Sequence, residues 1–253
     1  MNSRFKDKVI LITGGSSGMG LATGQLFAKE GAKVVIAARR EDEGQQAVEN
    51  ILAEGGNAVF VKTDVTKAKE VQAMVKTAVD TYGGLDYAFN NAGSGGQNIP
   101  TADYPEEHFD SLLNVNLKGA WLCMKYEIPE ILKRGGAIVN NISVAGLSGG
   151  PIPGSAYMAS KHGAVGITKC AAAEYAGQGI RINAVCPAVI ETPMAAKSFT
   201  DPKDYEYVKS LHPIGRVGKS EEVATAVAFL CSDEASFITG IQMPVDGGML
   251  LVP

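Results

Sequence analysis

Short apolar runs rich in β-branched residues recur along the chain at Val9–Thr13, Lys33–Ala38, Ala58–Thr63, Asp86–Asn90, Ala137–Ile142, Arg181–Cys186 and Gln242–Val245. Each has the length and composition of a buried strand. Between them lie stretches with helical spacing: Met19–Glu30, Glu41–Glu54, Lys67–Tyr82, Phe109–Leu132, Ser155–Ala176 and Glu221–Leu230. Strand and helix alternating in this way predict an α/β architecture, a doubly wound parallel sheet of about seven strands with helices on both faces.

No repeat, low-complexity tract or linker interrupts the pattern, so residues 1–253 are expected to form a single domain. One stretch departs from it. From Thr192 to about Lys219 the chain is weakly periodic and punctuated by Pro193, Pro202, Pro213, Gly215 and Gly218. It follows the carboxyl end of an expected strand, where such sheets bind ligands, and reads as a substrate-covering segment.

Composition narrows the partners. With 45% hydrophobic and 20% charged positions among 253 residues, the chain can bury one large core. Lysine and arginine number 23 against 27 acidic residues, a net charge of −4, so there is no general basic field to hold nucleic acid or an anionic membrane. The apolar stretch Val9–Ile12 is too short for a signal-peptide core, and no apolar run approaches the roughly 18 residues of a membrane span. Cys123, Cys170, Cys186 and Cys231 have no paired spacing. A cytoplasmic chain with reduced thiols is expected.

The run Thr13-Gly14-Gly15-Ser16-Ser17-Gly18-Met19-Gly20 ends the first expected strand and opens the first expected helix. Glycines there let the backbone approach a pyrophosphate, whose charge meets the free amides of the helix terminus. The architecture is thus Rossmann-like, with a dinucleotide held by Gly14, Ser16, Ser17, Gly18, Met19 and Gly20. About 20 residues further on, an acid would hold the ribose hydroxyls of NAD. The sequence has Ala38-Arg39-Arg40 instead. Cations there suit a 2′-phosphate, so NADP(H) is favoured over NAD(H), with Arg39 the first partner and Arg40 the second. Glu41 and Asp42 fit better as first-turn helix carboxylates.

Further motifs follow: Asn90-Asn91-Ala92-Gly93, Asn114-Val115-Asn116-Leu117-Lys118-Gly119, Asn141-Ile142-Ser143-Val144-Ala145-Gly146, Tyr157-Met158-Ala159-Ser160-Lys161, Asn183-Ala184-Val185-Cys186-Pro187 and Val245-Asp246-Gly247-Gly248. With the glycine turn, they make the chain resemble the short-chain dehydrogenase/reductase family over nearly its whole length. The physics of one pair supports this separately, because Tyr157 and Lys161, four apart on a helix, share a face. An ammonium beside a phenol favours phenolate. Moving tyrosine from near 10 to about 7 takes roughly 4 kcal/mol of differential stabilisation, within reach of a nearby cation plus a positively polarised nicotinamide, and makes Tyr157 a usable general acid or base.

The resemblance implies a nicotinamide-dependent oxidoreductase that moves a hydride between cofactor and a ketone or secondary alcohol. By the same resemblance Tyr157 exchanges the proton, Ser143 holds the substrate oxygen, Lys161 also binds the nicotinamide ribose, and Asn116 supports a relay water. It further implies that Asp64 and its neighbour Val65 approach the adenine, that Asn90, Ala92 and Gly93 lie along the cofactor, and that Pro187, Ile190 and Thr192 meet the nicotinamide end. A homotetramer is implied as well.

Two departures from the family pattern touch the pocket wall: Ala188 follows Pro187 where glycine is common, and Ser143 precedes Tyr157 by 14 positions, one more than usual. His108, His162 and His212 are scattered, and no metal site is expected. Met194, Phe199, Tyr205, Tyr207 and Leu211 are compatible with an apolar cover over a hydrophobic or cyclic substrate, and equally with anchoring of the loop. The alternative of a non-catalytic NADP(H)-sensing protein would be expected to lose the proton donor, which is present. A sugar-nucleotide epimerase or dehydratase would need a longer carboxyl-terminal region, and enoyl reductases space their tyrosine and lysine more widely.

Overall fold

The computed structural model describes residues 3–150, 153–196 and 201–251. Strands β1 (Val9–Thr13), β2 (Lys33–Ala38), β3 (Asn57–Lys62), β4 (Tyr87–Asn90), β5 (Gly136–Asn141), β6 (Ile180–Pro187) and β7 (Gln242–Val245) form one sheet in the order β3-β2-β1-β4-β5-β6-β7, every neighbouring pair parallel. The α/β expectation holds, and strand ends differ from it by at most one residue.

All five residues of β1 are buried because helices cover both faces. Successive side chains alternate between two cores. Ile10 and Ile12 join the core packed by Phe27 of α1 (Gly18–Lys29), Ile51 of α2 (Glu41–Ala53) and Val227 of α9 (Ser220–Cys231). Val9 and Leu11 join that of Met74 of α3 (Ala68–Tyr82), Leu122 of α5 (Gly119–Ile131) and Ala172 of α6 (Ser155–Tyr175). Each fully buried Ile, Val or Leu contributes about 1.5–3 kcal/mol. Alternation between two buried faces is why the strands read as continuous apolar runs.

The connection order reverses between β1 and β4, which opens a crevice at their carboxyl ends. Thr13, Asn90 and Asn140 lie in register across β1, β4 and β5. The residues that follow them, Gly14, Asn91 and Asn141, stand side by side on that edge.

Two regions differ from the reading of the pattern. The single helix expected over Phe109–Leu132 is α4 (Glu106–Leu113), a π-helical stretch at Asn114–Lys118, and α5. A π-turn inserts an extra residue and rotates the side chains after it, as often happens at functional sites. Here it carries Asn116 to a position 4% exposed. The 192–219 segment contains α7 (Pro193–Ala196) and α8 (Pro202–Ser210), the latter capped by the Asp201 carboxylate accepting from the Lys203 N–H at 2.8 Å. A single bridge between Ile190 and Gly218 closes the base of the segment.

Candidate active site

The glycine turn adopts the geometry its sequence anticipates. Gly14 and Gly18 have φ of +64° and +53°, and a Cβ on Gly20 would lie 2.4 Å from the Gly14 carbonyl. Only glycine permits that approach. Ser17 caps α1 without a side-chain hydrogen bond, and no acid occupies the first turn. The terminal amides are therefore unclaimed by side chains, as an anion site requires. Thr192 faces this turn, its Cγ2 3.1 Å from where a Cβ on Gly18 would be.

At the end of β2, Arg39 is exposed and enters no ion pair among the described residues. Arg40 is exposed too, but its guanidinium pairs with Glu43 at 2.9 Å and donates to Ser17 Oγ at 3.4 Å. Glu41, Asp42 and Glu43 fill the first turn of α2, as the helix-dipole reading expects.

Asp64 Oδ1 accepts from the Thr66 N–H and hydroxyl at 3.0 and 2.8 Å. Burial alone would raise its pKa, but these bonds and the charges of Lys67 and Arg39 hold it below the usual carboxylate value. Val65 is buried beneath α5, its Cγ2 2.9 Å from where a Cβ on Gly119 would be. Its side chain is thus a core group, which leaves only its backbone for the adenine side.

The resemblance puts Asn90 along the cofactor; its side chain is in the interior, 4% exposed, with Nδ2 donating to Glu127 Oε2 and Asn140 Oδ1, both at 3.0 Å, which leaves its backbone for that role. Side chains alternate along a strand, so its neighbour takes the open face. Asn91 reaches the turn, donating from Nδ2 to the carbonyls of Thr13 and Gly14 at 3.2 and 3.1 Å, while the Asn91 and Ala92 N–H groups both donate to Thr13 Oγ1. The Ile190 side chain likewise belongs to the core, which leaves its backbone for the nicotinamide end. Pro187 ends β6 in register with Val245.

Helix α6 presents the remaining groups. Its entry at Gly154 has φ +96°, and a Cβ there would meet the Gln97 carbonyl at 2.1 Å, so the 94–97 loop and α6 pack backbone to backbone. One turn apart, Lys161 Nζ lies 5.4 Å from the centre of the Tyr157 ring and donates to the Asn141 carbonyl at 3.2 Å. Burial pushes Lys161 down to about 8, against the pull of Cys186. Burial also raises the Tyr157 phenol, and a hydrogen bond with Ser143 works in the opposite direction. Ser143 Oγ accepts from the Ala145 N–H at 3.1 Å, which sets its rotamer.

Asn116 braces the loop beside them. Its Oδ1 accepts from the Ser94 N–H at 2.8 Å, and Nδ2 donates to the Ser94 carbonyl at 3.0 Å and to Ser160 Oγ at 3.4 Å. Both amide hydrogens are used, which leaves one lone pair of Oδ1 for a water. Between Asn116 and Lys161 the chain has Gly93, where a Cβ would sit 3.4 Å from Asn116 Oδ1 and 3.9 Å from Lys161 Nζ. A methyl group there would make ordinary van der Waals contact, so the bare backbone lies beside the lysine, on the same carboxyl edge as the glycine turn. The unclaimed amides of the turn and the lysine ammonium, on one edge of the sheet, fit an extended dinucleotide.

The residues missed in the sequence were Asn91, Asn141 and Thr13. Their signal was an asparagine pair closing each of two adjacent strands, Asn90-Asn91 and Asn140-Asn141.

The family profile described as Enoyl-(Acyl carrier protein) reductase matches residues 14–250. Cyclohexanol dehydrogenase of Acinetobacter sp. is 47% identical over 249 residues, 98% of this chain and 96% of its own. The 2,5-dichloro-2,5-cyclohexadiene-1,4-diol dehydrogenase of Sphingobium indicum is 40% identical over 253 residues, 99% and 100% of the two chains. Among solved structures, levodione reductase superposes with a TM-score of 0.95 at 36% identity, covering 98% of this chain and 100% of that one. The chain belongs to the short-chain dehydrogenase/reductase family. It is an oxidoreductase acting on alcohol and ketone groups, in a family whose members use nicotinamide cofactors. Among the described residues, no helix is long and apolar enough to cross a membrane.

Proposed function

We propose that this protein interconverts a cyclic ketone and the corresponding secondary alcohol with NADP(H), using Tyr157 as the general acid and base. The observation that carries this reading is the convergence on Tyr157 of Ser143, which hydrogen-bonds its phenol, and of Lys161, whose Nζ lies 5.4 Å from its ring centre. When bound, a nicotinamide would supply the hydride for reduction or accept it for oxidation. In reduction Tyr157 gives its phenolic proton to the substrate oxygen, which Ser143 orients by hydrogen bonding. The Lys161 ammonium, held in a poorly solvated position, favours the phenolate left behind. Asn116 keeps the Ser94 loop against this centre. Lys161 and the glycine turn would hold the cofactor, together with Asn91, Ala92, Gly93 and Thr192.

The preference for NADP(H) over NAD(H) rests on Arg39, exposed and outside any described ion pair, at the place where an NAD enzyme carries an acid. The cyclic substrate class is supported by the two relatives whose names specify six-membered carbocyclic alcohols. An apolar cover agrees with it: Met194 and Tyr207 are exposed on the 192–219 segment, and Met194 Sδ lies 4.0 Å from where a Cβ on Gly95 would be. Phe199, assigned to the same cover, lies outside the described residues. The four-residue spacing of Tyr157 and Lys161 favours carbonyl chemistry over the enoyl reduction in the matching profile's description.

A homotetramer is the proposed assembly, supported by the partly exposed Trp121 on α5 and the fully exposed Phe237 beside the sheet-edge strand β7. Four free cysteines support a cytoplasmic location.

The test is reduced-nicotinamide absorbance with NADPH and NADH while cyclohexanone and related ketones are added to wild type and to Tyr157→Phe. Turnover with NADPH that vanishes in the variant is the expected result. Tight cofactor binding with no turnover on any ketone or alcohol would replace this reading with a sensor, and an NADH preference would overturn the cofactor assignment alone.

A further inference from the structure

A continuous chain of hydrogen bonds runs along the carboxyl edge of the sheet from the glycine turn to Lys161. Asn91 Nδ2 donates to the carbonyls of Thr13 and Gly14 at 3.2 and 3.1 Å. Asn91 Oδ1 accepts from Asn141 Nδ2 at 2.8 Å. The Asn141 backbone carbonyl in turn accepts from Lys161 Nζ at 3.2 Å. A weaker contact joins Asn141 Nδ2 to Met19 Sδ, in the first turn of α1, at 3.9 Å. The strand register explains the alignment, because Thr13, Asn90 and Asn140 are in line and the next residue of each strand continues it.

An asparagine amide is two-sided, an acceptor on one arm and a donor on the other, so its neighbours decide which way it faces. The donor offered by Asn141 requires the Asn91 oxygen on that side. The two turn carbonyls can only accept and take the Asn91 NH2, so both ends of the amide agree on one orientation. Without the Asn141 donor, the Asn91 oxygen loses its partner, and the tether that Asn91 holds on the carbonyl of Gly14, at φ +64°, is weakened.

We propose that Asn141 is a positioning residue for the cofactor: its side chain sets Asn91 and thereby the phosphate-binding turn, and its carbonyl seats Lys161. The proposal rests on the dinucleotide-dependent reading above. Asn141 touches no reacting atom in it, and it acts through Asn91 and Lys161.

The experiment measures NADPH affinity of the full-length protein from the cofactor's own fluorescence, with thermal melting in its absence. Asn141→Leu keeps the backbone carbonyl and removes the amide. Losing a hydrogen bond of this kind is expected to raise Kd about tenfold, while the melting midpoint moves by only a few degrees and kcat at saturating cofactor falls by less than Kd rises. Asn91→Leu should raise Kd similarly, and the double variant no further than the larger single effect, because both act through one bond. Asn141→Ser, too short to reach Asn91, serves if the leucine variant does not fold. A wild-type Kd in the Asn141 variants, or effects that multiply in the double variant, overturns the proposal and leaves the functional reading standing. A wild type that binds neither NADPH nor NADH overturns both.

Discussion

Lys161 Nζ sits 5.4 Å from the ring centre of Tyr157, one turn away on α6, and the surroundings that bring the two together also strip the lysine of water. Burial lowers Lys161 to about 8 from an ordinary 10.5. Between those two values the unfolded chain binds more protons than the folded one, so this group makes stability rise with pH from about 8 toward 10.5. Below pH 8 the buried charge costs about 3 kcal/mol.

The first expected outcome concerns that lysine. Lys161→Met should lose catalytic rate by about 10²–10⁴-fold, the usual range for impaired acid–base chemistry, and yet be more stable than wild type at pH 7. Urea midpoints at pH 7 and pH 10 check this: the stability advantage should shrink as pH rises. An advantage that grows with pH would refute the buried-charge account.

Glu127 gives the opposite slope. It is fully buried behind the site, and burial pushes its carboxyl up to about 8 against the stabilising hydrogen bond from Asn90. Between about 4.5 and 8 the folded protein binds the extra proton, so stability is fully present below that window and is lost as pH rises through it. Wild type should lose about 3 kcal/mol relative to Glu127→Gln between pH 5.5 and 8. Parallel stability curves for the two proteins would show Glu127 to be ionised in the fold.

The two arginines after β2 should separate. Arg39 is outside any described ion pair, whereas Arg40 is engaged with Glu43 and Ser17. A charge-assisted hydrogen bond to phosphate is worth about 1.5–3 kcal/mol, so Arg39→Ala should lower kcat/KM with NADPH by about tenfold or more and leave NADH nearly unchanged. Arg40→Ala should do less. Equal losses with both cofactors would remove Arg39 from the 2′-phosphate.

Gly20 and Gly93 should respond differently to the same methyl group. At Gly20 it would be 2.4 Å from a backbone carbonyl, so Gly20→Ala should destabilise the apo protein by about 1–3 kcal/mol or more. At Gly93 the nearest atoms are 3.4 and 3.9 Å away, so Gly93→Ala should melt near wild type and lose affinity for the dinucleotide that needs the space. Melting curves paired with NADPH titrations distinguish them. An unchanged affinity in Gly93→Ala would move the cofactor elsewhere.

Much of this architecture was legible in the amino-acid order alone. Strands β1 and β2 begin and end where the expected runs do, since a doubly covered sheet demands consecutive apolar residues, and Gly14 and Arg39 end the two runs. The Tyr157/Lys161 pair was legible because four residues on a helix is one turn, a local fact needing no partner. Tertiary structure decided what depends on residues far apart in the chain. Asn90 and Asn91 are identical in kind, and only the pairing of β4 with β1 and β5 shows which faces the core and which the turn. The π-turn at Asn114–Lys118 has no periodic signature, and the Asn116 side chain it carries bonds Ser94, 22 positions away. Ile190 and Val65 face inward for the same reason: periodicity says that a residue is apolar, whereas the packing of one element on another says what it touches.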